Sequence, residues 1–404
     1  MTPENCPSCG SNEKSPILDL GTQPICNRFL QSPTVDETLF PFGISLCGHC
    51  GLVTFTHNIP VAELRPRFDW ITYREAEAHL DDAVDQIITA SGASEGQASV
   101  LGVSFQDAPT IERFRARKFE NAGILDMGRD LGITNACSGV ETIQSAVTAE
   151  WAGEYVGKHK PADIVVARYI LEHAHDIGSF LAAVRTLVKP GGCVAIEVPD
   201  FTTALLNFEY SNLFEEHNFY FTPATVQWLL KRHGFTITRM LSYPYSLENS
   251  MVVICRPGEP DGAGLPADEH RGEISRAEAF AAEFPRRRAQ IHASLARLRQ
   301  EGKIAIFGAG HIAAKFINLL GLSEFISFVV DDHPKKCGMY MPGSRLPIKP
   351  SASLAGEGVK WCLLTLNPDS ENKVMKNLKP VFDSGGITAY SVFRASSITL
   401  PLDS

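Results

Sequence analysis

The chain has 404 residues, enough for two or three domains, with the 44% hydrophobic and 21% charged content of an ordinary water-soluble globular protein. A net charge of −9 and the lack of any long Lys/Arg run argue against a nucleic-acid partner, and no apolar run reaches membrane-spanning length. Ten cysteines behind a polar N-terminus with no secretory leader point to reduced thiols in a cytoplasmic protein, with a metal site rather than a disulfide framework.

Residues 1–60 are punctuated by Cys and Gly and show little helical periodicity. They hold Cys6-Pro7-Ser8-Cys9 and Cys47-Gly48-His49-Cys50. Each short knuckle presents two thiolates on one side, and two knuckles close a tetrahedron around zinc. Gly10 and Gly51 follow the second Cys of each pair, where the knuckle turn favours positive φ. Four protein ligands leave no open position, so Cys6, Cys9, Cys47 and Cys50 are assigned to a structural Zn²⁺. Cys26 and His49 are left over, and His49 is expected to be exposed.

Residues 61–97 read as a helical connector. A helix is predicted over Glu75–Ile88 with Ala78, Leu80, Ala83, Val84 and Ile87 on one side. The aromatic approach from Arg67 to Tyr73 is either packing or one wall of a pocket.

Residues 98–257 read as an α/β domain. A strand over Ser99–Phe105 leads to a helix over Pro109–Arg117, a strand over Asn121–Asp126 and a helix over Ile143–Val156. Asp163–Ala167 is an apolar run of strand length, and Gly178–Val188 has helical spacing. Pro190-Gly191-Gly192 stops that helix before the strand Cys193–Val198. This is a βαβ unit whose strands are apolar on both faces, as a parallel sheet requires. Glu215, Glu216, His217 and Tyr220 come just beyond a strand end, where open α/β sheets bind ligands. Thr222 caps a helix over Pro223–His233, and Phe235–Ser242 and Ser250–Cys255 read as closing strands.

Residues 258–302 combine a Gly/Pro/Asp linker with a long charged helix over Glu269–Glu301, in which Arg286-Arg287-Arg288 is expected to be a solvated face. Residues 303–404 read as a Rossmann-like domain. A strand, Lys303–Phe307, enters Gly308-x-Gly310-x-x-Ala313, and the next strand, Ile326–Val330, ends in Asp331. Trp361–Thr365 and Ile387–Val392 are further strands. The glycine turn suits a nicotinamide cofactor, or the diphosphate of a nucleotide-linked sugar held by Gly308, Gly310, His311 and Asp331, or packing alone.

This order of parts resembles the zinc-containing nucleotide-sugar C-methyltransferase family. The matching residues are the four cysteines, Leu171-Glu172-His173, Lys189-Pro190-Gly191-Gly192, Glu216-His217 with Tyr220-Phe221, and the Gly308–Gly310 turn. The resemblance covers nearly the whole chain. It implies an α/β protein with a zinc-ribbon-like N-terminal segment, a class I methyltransferase-like Rossmann sheet and a C-terminal Rossmann-like domain. It also implies S-adenosylmethionine as cofactor and C-methylation of a nucleotide-linked keto-sugar through an enolate. The base would be His217, with Glu216 beside it, Tyr220 as a donor to substrate, and Tyr73 as the counterpart of a further substrate-side tyrosine.

One stretch departs from that pattern. A methyltransferase sheet normally has a Gly-rich turn after its first strand, so that backbone can pack against the methionine end of the cofactor. Here the one glycine, Gly102, lies inside the strand, and the turn itself carries Phe105, Gln106, Asp107 and Pro109. Any Cβ fills the space that such a ligand uses. The cofactor-side candidates are Gly102, Ser104, Asp126 at the second strand end, Glu172 and His173. Two other readings stay open: a non-methylating nucleotide-sugar enzyme on the same scaffold, and a ligand-binding protein that has lost the cofactor site.

Overall fold

The computed structural model describes residues 5–71, 75–135 and 137–402. Its first elements are strands β1 (Lys14–Pro24), β2 (Leu39–Cys47) and β3 (Val53–Phe55), then helices α1 (Val61–Leu64) and α2 (Leu80–Ser91). The helix expected from Glu75 begins only at Leu80. Leu80, Ala83, Val84 and Ile87 are buried as expected, while Ala78 is exposed in the irregular approach. Gly92 ends α2 in the left-handed region at φ +66°.

The central sheet uses β4 (Ser99–Gly102), β5 (Asn121–Ile124), β6 (Ala162–Arg168) and β7 (Val188–Asp200). Between them run α3 (Ala108–Ala116), α4 (Val140–Ala146), α5 (Ala149–Lys158) and α6 (Ile177–Leu187). The single helix expected over Ile143–Val156 is two, because the Thr148 side chain caps α5 by accepting from the Trp151 amide. After α7 (Thr202–Asn207), the two-residue strand β8 (Phe219–Tyr220) precedes α8 (Pro223–Arg232), β9 (Phe235–Tyr243) and β10 (Asn249–Pro257). The strand order is β5-β4-β6-β7-β10-β9. β5, β4, β6 and β7 run parallel, and β10 lies antiparallel between β7 and β9. A late antiparallel strand slotted into a parallel sheet is what makes this a methyltransferase-type Rossmann sheet. Its order reverses around β4, which opens a crevice at the C-terminal ends of β4 and β6.

The 35-residue helix α9 (Ala267–Glu301) leads to β11 (Lys303–Phe307), α10 (His311–Leu320), β12 (Ile326–Val330), β13 (Ile348–Lys349), β14 (Val359–Leu364), α11 (Pro368–Gly385) and β15 (Thr388–Ser391). These five strands form a parallel sheet of order β13-β12-β11-β14-β15. The arginine triplet on α9 is not one solvated face. Arg286 is exposed, but Arg287 is buried, and Arg288 donates to the Leu320 carbonyl at 3.1 Å.

β8 belongs to the N-terminal sheet rather than the central one. The order there is β1-β2-β3-β8, with Val53 opposite Tyr220 and Thr54 opposite Phe219. The stretch carrying Glu215, Glu216 and His217 is therefore anchored to the N-terminal segment. One apolar core joins Phe42 and Phe55 of the N-terminal sheet to Tyr220, to Phe280 and Leu295 of α9, and to Ile304 and Ile317 of the C-terminal domain. That shared core fixes the N-terminal and C-terminal parts against the crevice of the central sheet. Among the described residues no helix is long and apolar enough to cross a membrane.

Candidate active site

The four knuckle cysteines meet as the spacing predicts. Cys6 Sγ lies 3.8 Å from Cys50 Sγ, Cys9 Sγ lies 3.6 Å from Cys47 Sγ, and all four sulfurs are within 4.8 Å of one another. Sulfurs at about 2.3 Å from a tetrahedral zinc stand about 3.8 Å apart, so the site has the dimensions of a Zn–Cys₄ centre. Gly10 and Gly51 have φ of +74° and +72°. A Cβ on Gly51 would stand 2.8 Å from the Glu273 Cβ, so α9 packs directly on the second knuckle. His49 is exposed. Cys26 is buried elsewhere, where its amide donates to Glu215 Oε1 at 2.5 Å.

A cavity of about 600 Å³ occupies the crevice where the three sheets converge. Glu172, His173, Glu216, His217, Gly310 and His311 all line it. His217 is held in place by the next residue. Asn218 donates through its amide to the Glu172 carbonyl at 2.8 Å and through Nδ2 to the His173 carbonyl at 3.0 Å. This brings the imidazoles of His217 and His173 edge to face, with ring centroids 4.7 Å apart. Burial, and then the positive charge of His173, hold the His217 pKa well below the usual histidine value. Its ring is therefore neutral. His173 is the opposite case. Against the cost of burial, Glu141, whose Oε1 lies 3.1 Å from Nδ1, lifts its pKa to about 9.

Glu215 and Glu216 divide by environment. Glu215 Oε2 pairs at 2.5 Å with Lys315 of α10, and both side chains are buried. Burial opposes its ionisation, but the lysine keeps its pKa below the ordinary carboxylate value. Among the described residues Glu216 is paired with the imidazole of His311, at 3.3 Å, and burial together with the Glu215 charge raises its pKa to about 8. Burial lowers His311 to about 4. Tyr220 does not reach the cavity. Its hydroxyl donates to the Phe214 carbonyl at 3.0 Å, bracing the turn that carries Glu215–His217, so the expectation of a donor to substrate is corrected. Tyr73 lies outside the described residues.

The turn after β4 closes on itself. Asp107 Oδ2 accepts from the amides of Val103 and Ser104, both at 2.8 Å, and Oδ1 accepts from the Arg168 amide at 2.8 Å. Burial raises the Asp107 pKa to about 7 despite these donors. Ser104 is buried and caps the turn, its Oγ accepting from the Gln106 amide at 3.2 Å. Gly102 serves packing, since a Cβ there would lie 2.8 Å from the Asp107 Cβ. Asp126 is exposed and accepts from the Arg129 amide at 2.7 Å, away from the cavity. Gly102, Ser104 and Asp126 thus do not line the cavity, whereas Glu172 and His173 do. The buried Arg168, which follows the apolar run Asp163–Ala167 and carried no sequence signal, pairs with Glu197 and donates to the carbonyls of Gln106 and Ala76 at 2.9 and 3.0 Å. It ties the turn to the segment before α2.

What the crevice offers a cofactor is acid rather than glycine. Glu75, Glu172 and Glu248 line this end, and both buried oxygens of Glu172 lack a hydrogen-bond partner among the described residues. An orphaned carboxylate suits a ligand with a cationic centre, and S-adenosylmethionine carries one at sulfur. None of the three was singled out for this by sequence except Glu172. Glu75 and Glu248 sit in irregular segments with no motif.

On the opposite wall, Gly308 has φ +103°, and a Cβ would approach the Leu366 side chain to 3.0 Å. Asp331 folds back on this turn. Oδ2 accepts from the Ala309 amide at 3.0 Å and pairs with Lys336 at 2.9 Å. Gly308 and Asp331 therefore shape the turn without lining either neighbouring cavity. Gly310 and His311 line both the main cavity and a smaller one, of about 270 Å³, walled by Phe29, Trp70, His333 and Lys336. Trp70 stacks on His333 with ring centroids 4.9 Å apart.

A methyltransferase-type sheet, a four-cysteine metal cluster and a histidine-lined crevice between them define a zinc-containing methyltransferase. Comparisons with known proteins agree domain by domain. Residues 6–64 match a family described as "Putative zinc binding domain", residues 108–239 a methyltransferase domain, and residues 265–392 a C-methyltransferase C-terminal domain. The C-methyltransferase NovU of Streptomyces niveus is 28% identical over 399 residues, covering 95% of this chain and 94% of that one. The chain is an S-adenosylmethionine-dependent methyltransferase, similar over nearly its whole length to this C-methyltransferase. Among solved structures, an S-adenosylmethionine-dependent methyltransferase from Clostridium acetobutylicum is 12% identical with a TM-score of 0.33, covering 46% of this chain and 94% of that one. The Burkholderia thailandensis 1,6-didemethyltoxoflavin-N1-methyltransferase is 17% identical with a TM-score of 0.29, covering 45% and 80%.

Proposed function

We propose that this methyltransferase acts on a carbon beside the keto group of a nucleotide-linked sugar, and that His217 makes the carbon nucleophilic by removing its proton. The observation that carries the reading is the position of the neutral His217. It lies in one cavity with Glu172 and His173 of the central sheet on one side and Gly310 and His311 of the C-terminal domain on the other. S-adenosylmethionine, when bound, supplies a methyl group on a cationic sulfur for that carbon to take.

The chain's own groups account for the rest. His217 accepts the proton α to the ketone, and the positively charged His173 ring beside it favours the enolate charge. Glu216 keeps its proton up to about pH 8, and its buried Oε2 has no hydrogen-bond partner among the described residues. A neutral carboxyl so placed is an O–H donor for the enolate oxygen. The smaller cavity offers an aromatic platform, Trp70 on His333, beside the N-terminus of α10, which fits a nucleotide base and its phosphates. The C-methyltransferase relative supports carbon as the acceptor.

The test is solvent deuterium wash-in at the α carbon of a nucleotide-linked keto-deoxysugar, with and without donor. The native enzyme should exchange that proton even before methyl transfer, and His217→Ala should slow exchange and methylation by about 100-fold or more. Exchange and methylation that both persist within a few-fold in the variant would remove His217 as the base.

A further inference from the structure

One end of the cavity gathers three carboxyl groups that, among the described residues, have no cation within hydrogen-bond distance. Elsewhere in the site each carboxylate has a cation or imidazole at hand: Glu141 has His173 at 3.1 Å, Glu215 has Lys315 at 2.5 Å, Glu216 has His311 at 3.3 Å, and Glu197 has His79 at 3.0 Å and Arg168. Three carboxylates are treated differently. Glu172 is fully buried, and among the described residues both its oxygens lack a hydrogen-bond partner and its nearest charged group is His173 Nε2 at 3.9 Å, on a ring that also pairs with Glu141. Glu75 and Glu248 are half-buried and line the cavity, and among the described residues neither has a hydrogen bond or an ion pair. They come from three separate segments: the approach to α2, the turn after β6 and the β9–β10 connection. His173 and Arg168 act on Glu75 and Glu172 only from a distance, and enclosing three carboxylates without a directly bonded cation is costly unless one joins them.

We propose that Glu75, Glu172 and Glu248 cradle the sulfonium of the methyl donor, so that the site holds the cationic donor and releases its neutral thioether product by charge. This rests on the reading of the cavity as the methyl-transfer site. The position of Glu172 selects the sulfonium over the donor's amino-acid ammonium. Ligand atoms of Glu172, His173 and His217 lie within 4.8 Å of one another. The reacting carbon must sit beside His217, and the methyl must point at that carbon, so the sulfur falls beside Glu172.

Transfer forms the carbon–carbon bond and breaks the carbon–sulfur bond, whose electron pair stays on sulfur. The enolate charge and the sulfonium charge vanish together. The carboxylates then face a neutral sulfur, and their hold on the product is lost. The cradle acts on binding and discharge, because the positive charge it favours is falling in the transition state. Burial already raises Glu172 to about 7 and Glu248 to about 8, as expected of carboxylates awaiting a cation.

Calorimetry on the full-length protein with S-adenosylmethionine and with S-adenosylhomocysteine tests this. The native chain should bind the sulfonium at least about 10-fold tighter than the thioether. Glu172→Gln and Glu248→Gln should each weaken the sulfonium by about 10-fold and the thioether by less than about 2-fold. Glu248 lies in a connection between strands, so its isosteric variant tests the idea even where Glu172→Gln misfolds. Equal native affinity for the two ligands would overturn the proposal and leave the donor site in place. Equal losses for both would assign the carboxylates to the ammonium, overturning it as well. Binding of neither ligand by the native chain would bring down the methyl-transfer reading of this cavity together with the cradle.

Discussion

Replacing Lys315 with methionine tests how the catalytic turn is held. The lysine reaches from α10 to Glu215 at 2.5 Å, lies 3.9 Å over the Phe42 ring, and is almost wholly buried with its partner. In Lys315→Met the shape is kept but Glu215 loses its counter-charge, and breaking such a pair costs about 3–5 kcal/mol. A ceiling comes from proton uptake. Neutralising a carboxylate of ordinary pKa, about 4.3, costs about 1.4 kcal/mol per pH unit above that value, hence about 3.7 kcal/mol at pH 7 and about 1 kcal/mol at pH 5. The native pair sets the sign. Glu215 is depressed, so its contribution is present above the unfolded pKa and lost as pH falls through the folded one; Lys315 is raised, so its contribution is present below its unfolded pKa and lost as pH rises through the folded one. The damage therefore grows as pH rises from about 5 and is largest between about pH 7 and 10. Urea denaturation at pH 5 and pH 7 should give a smaller loss at the lower pH, and Lys315→Met with Glu215→Gln should recover most of it. A loss below about 1 kcal/mol at pH 7, or the same loss at both values, would refute the buried-pair reasoning.

The native protein should contain one zinc per chain by atomic emission, and Cys50→Ser should lose the metal and expose residues 5–64 to protease, since the knuckles anchor β1–β3. Gly310 lines both cavities with open space where a Cβ would stand; Gly310→Val should raise the acceptor KM by about 10-fold while leaving donor binding by calorimetry unchanged. Donor affinity should increase as pH rises from about 6 to 9, because Glu172 (about 7) and Glu248 (about 8) hold a cation only when ionised. The groups facing them are Glu75, Glu141, His173, Glu216, His217 and His311; of these His173 loses its charge only near pH 9, which adds to the trend at its upper end. A flat profile would count against the assignment.

Local chemistry made much of this protein legible without coordinates. Two C-x-x-C knuckles with glycine after each gave the metal cluster, because tetrahedral thiolate geometry constrains spacing within a few residues. The apolar runs Asp163–Ala167 and Cys193–Val198 gave a parallel βαβ unit, since strands buried on both faces have no polar alternation to hide them. Thr222 before Pro223 gave the start of α8, and its side chain does accept from the Thr225 amide. These are short-range rules, and they held.

Sites assembled across segments were decided by the tertiary structure. A strand-end acid was expected to face ligand at Asp126 and Asp331, yet one is exposed and the other is folded onto the Ala309 amide. Tyr220 pairs with Val53 of the N-terminal sheet, and its hydroxyl is used within its own turn. Lys315 on α10 carries no sequence signal of its own, and packing of the C-terminal domain buries it on Glu215. Glu75 and Glu248 gave no signal, since an acid in an irregular segment is ordinarily solvated. Which charges meet, and which are left without a partner, depends on side chains hundreds of residues apart sharing one water-poor cavity. The sequence by itself determined the parallel strands of the central and C-terminal sheets and the metal ligands; the N-terminal sheet that takes in β8, and the electrostatics that select a ligand, exist only once the three parts are packed together.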